Sequence, residues 1–149
     1  MMSDLFADPL LRYVLVMLWL LPCAIQDRRT RRVSNWLTIP LFLAAWPASL
    51  LLKTSLLTFA TFAGFWLAFQ LEKGSMGGAD GKIATGLAAF APLALLASIA
   101  INGLAFLILR LRGKTNVQLP GAVGFYLGVV SSFLVLVLQA WVAQRLVAL

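Results

Sequence analysis

The chain contains no histidine and only one cysteine, Cys23, among its 149 residues. Those two shortages remove whole classes of chemistry. A serine or cysteine nucleophile activated by histidine cannot be built. Neither can a zinc site made of cysteine and histidine ligands. Only five residues are acidic, and charged residues make up 11% of the chain. No cofactor-binding pattern and no metal-ligand cluster is read in what remains, so any chemistry is expected to rest on the chain's own side chains. Polar stretches long enough to form a separate soluble domain are also missing.

Apolar residues dominate instead. They make up 62% of the sequence, and the mean hydropathy is +0.95. Runs long enough to cross hydrocarbon recur from end to end. With no water in a bilayer core to satisfy an open backbone, such runs should be helices. The expectation is an all-α integral membrane protein forming a single domain over residues 1–149. The net charge of +7 suggests nucleic acid only superficially. The basic residues cluster at the ends of apolar runs, as orientation in a membrane demands. Anionic lipid head groups, not nucleic acid, are their expected partners.

Residues 1–9 carry Asp4 and Asp8 and no basic residue, unlike the positive start of a signal peptide. A first span runs from Leu10 to Ile25, continuing to about Asp27. A second runs from Trp36, an interfacial anchor, to Leu52, with Pro40 and Pro47 as tolerated kinks. A third covers Thr54 to Leu71. The stretch Ile83 to Leu109 is uncharged throughout. As one helix it would reach about 40 Å, more than a bilayer core of about 30 Å. Pro92 divides it into a short helix from about Asp80 to Phe90 and a fifth helix from Pro92 to Leu111. A sixth span covers Gly121 to Leu149. Six spans with the N-terminus and C-terminus outside put Arg28, Arg29, Arg31, Arg32, Lys73, Lys82, Arg110, Arg112 and Lys114 on the cytoplasmic side. Only Arg12, Lys53 and Arg145 fall on the other.

Two segments interrupt the apolar pattern with chemistry. One is Asp27-Arg28-Arg29-Thr30-Arg31-Arg32-Val33-Ser34-Asn35-Trp36-Leu37-Thr38. The other is the glycine-crowded Gly74-Ser75-Met76-Gly77-Gly78-Ala79-Asp80-Gly81-Lys82. Of the five acidic residues, Asp27, Glu72 and Asp80 fall on the expected cytoplasmic side. Hydrolysis of an amide without metal, histidine or thiolate still has a route through two carboxylates. One takes a proton from water while its protonated partner polarises the carbonyl. Each aspartate also has a plain structural role available, Asp80 as a helix-start residue and Asp27 as an ion-pair partner of nearby arginines. A Ser75–Lys82 pair is conceivable within the same loop. Asn102, inside the fifth helix, is expected to hydrogen-bond between helices.

The two segments together resemble the type IV prepilin peptidase family, including the preflagellin peptidases. That family has an aspartate, a basic run and a Pro-Asn-x-Leu-Thr stretch, followed later by Gly-x-Gly-Asp-x-Lys. Here Ser34 stands at the proline position and Ala79 at the second glycine. A third block, Leu119-Pro120-Gly121-Ala122-Val123-Gly124-Phe125-Tyr126-Leu127-Gly128, is similar to the family's start of the last helix. The resemblance implies a membrane-embedded aspartic endopeptidase with Asp27 and Asp80 as catalytic residues. Gly77, Gly78 and Lys82 would support or bind substrate. The implied substrate is a pilin-like or flagellin-like precursor with a short basic leader, cut at the cytoplasmic face of a prokaryotic plasma membrane. The larger members' cysteine-rich N-methylation region has no counterpart here, so the chain resembles the short, peptidase-only forms.

Two rival readings stand beside this one. Presenilin-like proteases also use Gly-x-Gly-Asp, but pair it with a Tyr-Asp context that Gln26-Asp27 does not provide. A catalytically silent scaffold or transporter subunit of the same fold would use the glycine loop as a turn. No internal repeat of the transporter kind is present.

Overall fold

Among the described residues, six helices follow from the punctuation of the sequence by Pro, Gly and small polar caps. The computed structural model describes residues 8–71, 78–114 and 119–147. Helix α1 spans Pro9–Thr30, with Pro9 in its first turn and the Asp8 side chain accepting from the Leu10 amide at 2.9 Å. It ends at Arg31, whose left-handed backbone closes the helix with an N–H bond to the Asp27 carbonyl. The helix therefore runs beyond the expected limit near Asp27. Arg28 and Arg29 occupy its last turn, where cations suit the negative end of the helix dipole.

Helix α2 covers Asn35–Leu51, capped by Ser34, and passes through Pro40 and Pro47 without a break. Helix α3 is Ser55–Leu71, α4 is Gly78–Phe90, α5 is Pro92–Leu111 and α6 is Gly121–Val147. The division at Pro92 falls where the sequence places it. Ala91 leaves the helical region with φ −147° and ψ 67°, and Pro92 restarts the chain as an N-terminal helical residue. Among the described residues there are no strands.

Helices α1, α5 and α6 are long and apolar enough to cross a membrane. At 17 residues each, α2 and α3 reach about 26 Å, a shortfall that local bilayer thinning accommodates. Large apolar side chains such as Leu56, Phe59, Trp66, Leu134 and Trp141 point outward. An outward apolar surface on every long helix is stable only in lipid, and the chain is an all-α membrane protein.

The hub of the bundle is the shortest of the six described helices. Every residue of α4 from Ile83 to Phe90 is buried, and α4 packs against each of the other five helices. Ala84, Gly86, Ala88 and Ala89 keep its outline small enough for that. At Gly86 a β-carbon would lie 2.7 Å from Leu41 Cγ, so α2 and α4 touch across a missing side chain. The far end of α4 is pinned by Thr54, whose Oγ1 donates to the Ala89 carbonyl at 3.0 Å. Rings of Phe42 and Trp46 on α2 meet Phe62 on α3 at centroid distances of 5.8 and 5.5 Å. Two buried hydroxyls bond within their own helix. Thr85 Oγ1 donates to the Gly81 carbonyl at 2.7 Å, and Ser98 Oγ to the Ala94 carbonyl at 2.6 Å.

Candidate active site

Asp27 sits one turn before the end of α1, where a carboxylate is out of place electrostatically. The C-terminal end of a helix is the negative end of its dipole. Yet the side chain is buried, only 7% exposed. Its support comes from 95 residues further along the chain, where the Ala122 backbone N–H donates to Oδ2 at 2.9 Å. Ala122 belongs to the first turn of α6, whose unpaired amides and positive dipole end accommodate an anion. Gln26, the preceding residue, holds the neighbouring loop: its Oε1 accepts from the Ser34 amide at 2.9 Å. Thr30 Oγ1 donates to the Gln26 carbonyl, also at 2.9 Å. The basic segment after Asp27 is thus folded back beside it.

Asp80 arrives from the other motif, in the first turn of α4. It is half-buried and packs directly over Gly121. A β-carbon placed on Gly121 would lie 2.5 Å from Asp80 Oδ1 and 2.7 Å from both Cγ and Oδ2. The two motif aspartates therefore meet consecutive residues, 121 and 122, of one helical turn. Gly121 leaves the space that Asp80 occupies, and Ala122 supplies the amide that holds Asp27. Neither role is visible in the third block read as sequence, because both are backbone properties. The only available signal was the glycine immediately after Pro120.

A cavity of about 400 Å³ opens on Asp80, walled by α3, α5 and α6 through Phe65, Ile99, Asn102, Phe106, Gly121 and Phe125. Asn102 does not make the expected bond between helices. Its carboxamide packs against Gly124, which offers no side chain to pair with, and it has no hydrogen-bond partner among the described residues. The helical backbone of α6 at that level is already committed to its own ladder. The wall is apolar apart from two polar side chains, Asp80 and Asn102, the usual make-up of a ligand pocket.

Lys82 is turned toward a different partner from either carboxylate. Its Nζ donates to Asn35 Oδ1 at 2.7 Å, tying the glycine motif to the start of α2 and hence to the first motif. Together with Gly78 and Gly81, Lys82 lines a second cavity of about 200 Å³, whose other walls are Phe42, Phe62, Phe65, Trp66 and Phe69. Gly78 opens α4 with no neighbour within 4 Å of a β-carbon. Gly77, Glu72 and Ser75 lie outside the described residues. Among the described residues no group of acidic, cysteine or histidine side chains could hold a metal ion.

Compared with known proteins, residues 14–147 match the model of the type IV leader peptidase family. The match takes in Asp27, Asp80 and the first turn of α6 together. No curated protein and no solved structure gives a match.

Proposed function

Because the chain belongs to the type IV leader peptidase family, we propose that it is an aspartic endopeptidase using Asp27 and Asp80. Its substrates are pilin-like or flagellin-like precursors, from which it removes a short basic leader at the cytoplasmic face of a prokaryotic plasma membrane. The observation that carries this reading is the convergence of both aspartates on one turn of α6. Two carboxylates sharing one site share a proton near the working pH. The ionised member takes a proton from water, and the water oxygen bonds to the scissile carbonyl carbon. The protonated member donates to the carbonyl oxygen. Collapse of the tetrahedral species breaks the C–N bond as a carboxyl returns a proton to the leaving amine.

The chain's own backbone organises those steps. The Ala122 amide fixes one oxygen of Asp27, so the other remains free to face water. The missing side chain at Gly121 lets Asp80 approach the same spot. A precursor with an apolar helix would enter laterally from lipid, bringing its leader junction to the level of this turn.

Asp27→Asn and Asp80→Asn test the reading. Both are nearly isosteric and should leave insertion and abundance unchanged. Each protein is co-expressed with precursors bearing a basic leader, and processing is followed as a gel shift. Each single variant should lose nearly all processing, and the double variant should be little worse, as for residues acting as a unit. Either variant processing near the parent rate at normal abundance would overturn the dyad.

A further inference from the structure

Asn102 is a polar side chain on a membrane helix with no hydrogen-bond partner among the described residues. In hydrocarbon an unpaired carboxamide is costly, and membrane helices ordinarily pair such groups across an interface. Here the facing helix presents Gly124. The amide instead borders the same cavity as Asp80, whose remaining walls are mostly aromatic and aliphatic. Asn102 faces Gly124 and Asp80 faces Gly121, so along α6 the two polar groups are separated by about 4.5 Å. An extended peptide advances about 3.3 Å per residue. Asn102 therefore stands one to two substrate residues from the carboxylates, on the side further from the start of α6.

We infer that Asn102 is a substrate-binding residue, its carboxamide pairing with a backbone amide of the precursor within the first two peptide bonds on the mature side of the cut. This rests on the leader-peptidase reading above. The chemistry fits in both directions. A carboxamide offers one acceptor and two donors, matching the N–H and C=O of a peptide bond. A peptide drawn into an apolar cavity leaves those groups unsatisfied unless the wall supplies partners. The mature side is the side that continues into the membrane, and Asn102 lies deeper along α6 than the carboxylates do. Recognition through backbone, not side chain, would also tolerate precursors of differing sequence at those positions.

The test uses Asn102→Leu, which keeps the shape and the packing on Gly124 but removes the hydrogen bonds. Full-length protein in lipid nanodiscs is assayed against a synthetic precursor with a short Lys/Arg leader ahead of an apolar helix. The same precursor is also made with a backbone ester at the first or the second bond of the mature side. In Asn102→Leu, KM should rise about tenfold with kcat within about twofold, the value of one hydrogen bond. In the parent, one of the two esters should produce a similar rise. That ester should add nothing further in Asn102→Leu, because the two changes remove one interaction. Parent-like KM in Asn102→Leu, or ester and variant effects that multiply, would overturn the assignment while leaving the dyad intact. A parent protein that cleaves no precursor, with Asp27→Asn indistinguishable from it, would overturn both.

Discussion

Replacing Gly121 by alanine adds a single methyl group at the point where the site is tightest. That methyl carbon would stand 2.5 Å from Asp80 Oδ1 and 2.7 Å from Cγ and Oδ2. Non-bonded heavy atoms rest at about 3.5 Å or more, so the carboxylate or the helix must yield by about 1 Å. The helix is poorly placed to give way. Its next residue is fully buried and bonds to Asp27, so a shift of α6 would disturb the second carboxylate as well. The displacement therefore falls on Asp80. If Asp80 acts as proposed, misplacing it by about 1 Å costs on the order of a hundredfold in rate, equivalent to about 2.7 kcal/mol of transition-state stabilisation.

The cost to folding should be smaller in its consequences. Overpacking by one methyl destabilises by about 1–3 kcal/mol, part of which alanine's helix propensity over glycine offsets. Gly121→Ala should accumulate in membranes near the parent level while processing precursor about a hundredfold more slowly. Gly64→Ala is the matched control, because nothing lies within 4 Å of a β-carbon there. It should process at the parent rate. The assay is a processing time course normalised to membrane-inserted protein. Parent-like processing by Gly121→Ala, within about threefold, would refute the placement of Asp80 over the first turn of α6.

Reporter fusions should place both termini outside the cytoplasm and the segments near 28–35, 72–82 and 110–120 inside, following the distribution of Arg and Lys; a cytoplasmic C-terminus would refute the six-span arrangement. Gly86→Ala forces a methyl group to within 2.7 Å of Leu41 Cγ, and thermal unfolding in detergent should show a loss of about 1–3 kcal/mol. Leu41→Ala in the same chain should be less damaging than the sum of the two single changes, because each makes room for the other.

Much of the fold is legible in the sequence because its boundaries are chemically marked. Pro9, Ser34, Pro92 and Gly121 each stand at or beside a helix start. What hydropathy does not reveal is which helix holds the others together. In water the most apolar helix is the best candidate for the core, but in lipid that inference reverses. The helix buried most completely, α4, is built from small residues, whereas α3 exposes Leu56, Phe59, Trp66 and Leu67. Close packing of small side chains, not hydrophobic burial, is what joins helices inside a bilayer. The pairing of Asp27 with Asp80 came from resemblance; resemblance also marked the block holding Gly121 and Ala122, but not their part between the two aspartates. Gly121 acts through a missing side chain, which its residue type marks, whereas Ala122 acts through a backbone amide that no residue type marks.

The glycines of α6 form a series along which the facing polar side chains differ in how far they are satisfied. Gly121 faces Asp80, Gly124 faces Asn102, and Gly128 faces Ser98. At Ser98, furthest from the start of α6, the hydroxyl is fully satisfied, donating toward the carbonyls of Ala94 and Phe125, and its side chain is not part of the cavity wall. A polar seam whose purpose was only to join α5 to α6 would treat all three positions that way, since an unpaired polar group weakens the joint it belongs to. Instead, satisfaction stops where the cavity begins. Asn102 and Asp80 both line open space, and both sit on the side of the bundle where Asp27 is held. Among the described residues neither side chain has a hydrogen-bond partner. The seam therefore changes character along one helix face, from an interior joint at Ser98 to the wall of an open cavity at Asn102 and Asp80.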